Sequence, residues 1–259
     1  MKLLFPILGA LALGAAALGL AAQMPSAGPP QSPRAAAPID LSGYWVSVVT
    51  EDWRFRMLVP DKGDYASVPL NPAGRNVADG WDPASDEATG NACRSYGAAG
   101  IMRVPGRLHI YWENDDTLRI DTDSGTQERL LHFGKSPSPN AGQTWQGYSL
   151  AEWEGMRSRF LSPYMGEHAR PGQQSEGYLK VATMHMRPGY LRKNGVPYSE
   201  KTVLKEYYDL FSEPNADTWF MVTTIVEDPT YLAVPFVTTS HFKKVADGSG
   251  WDPEPCTAR

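Results

Sequence analysis

The sequence has no excess of basic residues, only two cysteines and five histidines, and no internal repeat or charge block. Each scarcity excludes something. With 24 Lys and Arg against 29 Asp and Glu, the formal net charge is −5, and nothing forms the basic footprint that a nucleic acid requires. No two histidines have the local spacing of a zinc helix or a zinc knuckle, so no metal site is expected. There is no Gly-x-Ser-x-Gly elbow, and no Gly-rich loop follows a strand and opens a helix. No cofactor is expected.

The one long apolar run is "MKLLFPILGALALGAAALGLAAQ", with a single lysine before it and small residues at Ala21 and Ala22. This is the layout of a signal peptide over residues 1–22, which implies a periplasmic or secreted protein with no membrane span after cleavage. Residues 23–39 are Pro, Ala and Ser with almost no large apolar side chain, and read as a flexible leader. Residues 40–259 then form a single domain. In an oxidising compartment the two cysteines, Cys93 and Cys256, are expected to form a disulfide that tethers the chain end.

Strand patterns dominate the rest. "GYWVSVVTEDWRFRMLV" reads as a first strand, and "GIMRVPGRLHIYWEN" as two runs bent at Pro105-Gly106. "DTLRIDTD" and "TQERLLHFG" flank Ser124-Gly125 as a hairpin. "GYLKVATMHMRP", "KTVLKEYYDLFS", "DTWFMVTTIVED" and "PFVTTSHFKKV" complete the set, and only residues 71–81 look helical. The fold class is therefore all-β, a single antiparallel barrel of eight or nine strands with one short helix. Closing the sheet removes the edges that so many apolar strands would otherwise expose.

Gly43-Tyr44-Trp45 at the start of the first strand resembles the Gly-x-Trp signature of lipocalin-like (calycin) β-barrels, where the Trp closes the barrel floor. That resemblance implies a barrel with an interior for a small ligand. The succession "PLNPAGR", Cys93 and Gly97, "EWEG", "GVPYSEKTVLKEYYD" and "IVEDPTYLAVPF" is similar to a broad set of exported bacterial proteins of unknown function. Against that set the chain carries an insertion at about residues 156–176, which reads either as a lid over the barrel mouth, given its aromatic residues, or as a disordered excursion.

Strand alternation supplies two groups of candidate residues. On the first strand Trp45, Val49, Trp53, Phe55 and Met57 share one face, and Arg54 and Arg56 the other. Trp53, Phe55, Met57 and Arg54 are candidate ligand contacts. Either the arginines simply face solvent, or a bulge near Glu51-Asp52 turns one inward to hold a carboxylate or phosphate. The second group is His185 and Arg187, in phase with Leu179 and Val181, facing Glu206 and Tyr208 on the next long strand. A His/Glu/Tyr/Arg cluster inside an apolar cavity suits acid-base catalysis. Its plainer reading is an internal ion pair. Glu227-Asp228 before Pro229 reads as a turn cap or a carboxylate at the barrel mouth.

Two functions follow as expectations. One is binding of a small, largely apolar or aromatic molecule in the barrel. The alternative is a cofactor-independent isomerase, lyase or hydrolase that uses the internal cluster.

Overall fold

A computed structural model describes residues 31–137, 142–155 and 177–259. Its basis is the period-two burial of its strands. In order these are β1 (Gly43–Val48), β2 (Arg107–Asn114), β3 (Thr117–Thr122), β4 (Gln127–Phe133), β5 (Tyr148–Gly155), β6 (Gly177–Met184), β7 (Gly189–Arg192), β8 (Val196–Tyr198), β9 (Val203–Ser212), β10 (Thr218–Glu227) and β11 (Phe236–Val245). Along β6 and along the first half of β9, every second residue is buried. Such strands have one apolar face, and the sheet closes to bury it.

The closed barrel has nine strands in the order β1-β11-β10-β9-β6-β5-β4-β3-β2. Nine strands cannot alternate direction all the way round a ring, so at least one neighbouring pair must be parallel. That pair is β4 and β5. All other neighbours are antiparallel. The barrel is thus mixed, where the sequence suggested a purely antiparallel one. Trp45, Ile110, Leu118, Leu131, Leu179, Tyr208, Phe220 and Phe242 pack together inside it. Trp45 is fully buried, donates its indole N–H to the Leu41 carbonyl and meets Phe220 edge-on.

The registers place the end of β1, the start of β2, the β3–β4 turn, the end of β6 and the start of β9 at one end of the barrel. That end carries a cap. Most of it is the long connection from β1 to β2, with helices α1 (Trp53–Arg56), α2 (Pro72–Asp79), α3 (Pro83–Ala88) and α4 (Ala98–Ile101) and a 3-10 turn over Ala92–Tyr96. Asn71 and Asp82 cap α2 and α3, each with a proline at the first helical position. The expected helix at 71–81 is therefore present, and the others are additional. The β7–β8 hairpin completes the cap. Its Leu191, Val196 and Tyr198 share a second apolar core with Tyr65, Ala98, Leu232 and Phe236.

Several sequence expectations are corrected. The first strand ends at Val48; Asp52 then takes a left-handed conformation (φ 50°) and residues 53–56 form a helical turn instead of continuing the strand. Trp53 is consequently 61 % exposed and not part of the core, and Met57 is exposed as well. The run before Pro105 is helical at α4 rather than a strand. Part of the leader is packed: Ile39 is buried, and the Pro33 carbonyl accepts the Trp153 indole N–H at 2.8 Å. The suggested lid at 156–176 lies outside the described residues.

Cys93 and Cys256 form a disulfide with their Cα atoms 5.0 Å apart. It ties the tail after β11 to the 3-10 turn of the cap. On the way, Ser124 at the β3–β4 turn bridges Glu254.

Candidate functional site

The polar group expected inside the barrel exists, but with different members. Glu206 and Tyr208 face inward and are fully buried. His185 and Arg187 do not join them. His185 adopts a left-handed conformation (φ 58°), which breaks the pleat just after β6. The alternation then restarts in the opposite phase, so Met186 is buried while His185 and Arg187 are exposed. Arg187 lies over the Trp145 ring, 4.0 Å from its centroid. The four-residue catalytic cluster drawn from the sequence is therefore not assembled.

The partner of Glu206 is Arg129 on β4. Its two terminal nitrogens donate to the two carboxylate oxygens at 3.1 and 2.7 Å. Tyr208 donates to the same carboxylate at 3.3 Å, and Thr183 contacts Arg129 at 3.4 Å. Both members of the ion pair have 0 % side-chain exposure. Burial lowers the Arg129 pKa, but the adjacent Glu206 carboxylate outweighs it and leaves the pKa above its ordinary value. Burial, reinforced by Glu206, pushes the Tyr208 phenol up. This arrangement holds its protons and offers no free acid or base. Arg129 was missed in the sequence, although its phase with Leu131 and Phe133 places it on the inward face.

A cleft of about 280 Å³ opens instead in the cap. One wall is the stretch that follows the break in the first strand, Phe55 to Val59. Tyr96, Gly100, Arg103, Val104 and Pro105 form another, and Leu191, Arg192 and Lys193 from the end of β7 and its turn form a third. Glu254 of the disulfide-tied tail also lines it. Of the four candidate contacts from the first strand, Phe55 and Met57 line this cap cleft, and Trp53 and Arg54 do not. Arg54 reaches outward to Asp64. Met57, Leu58 and Val59 are exposed apolar residues at its edge.

Three arginines belong to this cleft, and all three are buried. Arg56 bonds Glu51 at 2.6 Å and the Arg103 carbonyl at 2.9 Å. Arg103 bonds Asp52 at 2.9 Å and lies over the Phe236 ring. So the break at Glu51-Asp52 does turn an arginine inward, but it is Arg56, and the device is a helical turn rather than a bulge. Arg192 lies over the Phe55 ring, 4.2 Å from its centroid, and donates to the Ala66 carbonyl at 2.7 Å. Among the described residues no carboxylate pairs with Arg192. Burial, then the charge of Arg103, lowers its pKa to about 10. It remains protonated at neutral pH.

Arg192 is positioned by the β7–β8 hairpin, whose turn contains Asn194-Gly195. Asn-Gly between short apolar runs is a hairpin signal that the strand reading did not use. Asn194 donates to the carbonyls of Asp61 and Asp64, which fixes the turn against the loop after α1. At the same end of the barrel, Asp228 is a turn cap. It accepts from Ser199, Thr202, Thr230 and Tyr231 and is buried away from any mouth.

Among the described residues, no group of three or more His, Cys, Asp and Glu is placed to hold a metal ion. No described helix is long and apolar enough to cross a membrane. Compared with protein-family models, curated proteins and solved structures, the chain gives no match.

Proposed function

We propose that this is an exported binding protein that takes a small, partly apolar molecule into the cleft of the cap. The observation that carries the reading is the cleft itself, with exposed Met57, Leu58 and Val59 at its edge. Large apolar side chains next to a concavity commonly mark a ligand site. The barrel interior acts as scaffold in this reading, since Trp45, Tyr208, Phe220 and Phe242 pack against one another within it. The disulfide and the absence of a spanning helix among the described residues are compatible with a periplasmic or secreted location. Acid-base catalysis is not favoured, because the internal carboxylate is held by Arg129.

Native mass spectrometry of the protein isolated from its own host tests this. A released small molecule whose retention falls in the Met57→Ser, Leu58→Ser double variant supports the reading. Both side chains are exposed in the free protein, so the variant should keep its stability to within about 0.5 kcal/mol. Retention that ignores the double variant would overturn the assignment to the cap.

A further inference from the structure

Arg56, Arg103 and Arg192 all line one cleft, and each keeps a buried nitrogen with no hydrogen-bond partner among the described residues. For Arg56 and Arg103 it is one terminal nitrogen each; for Arg192 it is Nε and one terminal nitrogen. Glu51 and Asp52 compensate the first two charges. Among the described residues Arg192 donates to a backbone carbonyl and lies over an aromatic face; Asp52 and Asp64 are near enough to act on its charge, but neither pairs with it. A buried cation with no carboxylate in direct contact is costly, and natural proteins seldom keep one idle. Arginine's planar fork matches an oxyanion, with Nε and a terminal nitrogen able to donate in parallel. Those are the two buried Arg192 nitrogens that have no partner among the described residues.

We infer that the cleft's ligand carries an oxyanion head, a carboxylate or a phosphate, held by Arg192 with Arg103 and Arg56 beside it. This rests on the reading of the cleft as a binding site and names the chemistry of its occupant. The apolar edge at Met57 and Leu58 receives the rest of the molecule. The proposed ligand is amphipathic and compact, with one anionic end.

The test uses three probes of one shape: 2-naphthoate, 2-naphthyl phosphate and the neutral 2-naphthamide, titrated calorimetrically into the intact disulfide-bonded protein. At least one anion should bind about tenfold to a hundredfold tighter than the amide, the usual effect of a charged hydrogen bond. The preference shows which head group the seat accepts. In Arg192→Met that preference should collapse, while the melting temperature should not fall, because an unpaired buried charge is removed. Arg192→Lys keeps the charge but not the fork, and should recover only part of the preference. Equal affinity for acid, phosphate and amide would overturn the anionic head and leave the cleft reading standing. Failure of all three probes to bind would overturn both. The comparison of probes needs no variant, so the inference remains testable if Arg192→Met does not fold.

Discussion

A single backbone conformation can redirect a whole set of side chains. At Asp52 and at His185 a positive φ follows the end of a strand and changes which residues face inward. The result is that Arg56 is buried where Arg54 is not, and that His185 and Arg187 leave the interior. Neither residue is a glycine; Asp and His adopt a positive φ more readily than most residues, but the alternation on either side carries no sign of the break. The interior charge is settled at the same scale. Glu206→Gln leaves Arg129 without its counter-charge and should cost about 3–5 kcal/mol in a urea unfolding experiment. Combining it with Arg129→Met should recover much of that loss, since an apolar pair of similar volume can replace a buried ion pair. Full stability in the single variant would mean that the pair is not the anchor described.

The elements show which parts of the fold were legible in the sequence. β3, β4, β9, β10 and β11 follow period-two patterns with turn residues between them, and each forms where its pattern lies. The Ser124-Gly125 hairpin is an example. Gly125 has φ +76°, and an added Cβ would lie 2.2 Å from the Tyr96 ring. Gly125→Ala should therefore destabilise by about 1–3 kcal/mol, measured as a shift in the unfolding midpoint, through both backbone strain and the clash. The cap was less legible. Its helices are four to eight residues long, too short for a helical period to show. Side-chain caps from Asn71 and Asp82 hold α2 and α3, and α1 and α4 have no side-chain cap and rely on packing. The candidate site was half visible for this reason. The stretch Phe55 to Met57 was singled out, but Arg103 and Arg192 come from segments that only the folded cap brings to it.

Across the whole molecule, the barrel is the scaffold and the cap the site in the proposed reading. The Cys93–Cys256 disulfide joins residues 163 apart and holds Glu254 at the cleft. Replacing both cysteines with serine should cost up to about 5 kcal/mol in the chain-entropy account. It should also weaken ligand binding, because the tail that lines the cleft is freed. Unchanged binding would separate the tail from the site. Stability should also depend on pH through two ring-stacked histidines. Burial lowers the pKa of His109, which stacks on Tyr44 beside Asp121 and Arg119. Burial, then Lys135, lowers that of His132, which stacks on Tyr148. A depressed imidazole pKa means that the unfolded chain binds the proton more readily. The stability is fully present above the ordinary value of 6.5 and is lost as pH falls through the folded-state values. His109→Gln with His132→Gln should flatten the decline in melting temperature below pH 6.5; an unaltered decline would assign it to other groups.

In the proposed complex the ligand sits in the cap, with its charge at Arg192, and not among the aromatic side chains of the barrel. Anomalous scattering from a crystal soaked with 6-bromo-2-naphthoate locates the molecule directly. The account predicts a bromine peak in the cleft near Met57 and Leu58, with the carboxylate within hydrogen-bonding distance of the Arg192 guanidinium. A peak inside the barrel beside Trp45 and Tyr208, or a carboxylate turned away from Arg192, would contradict it.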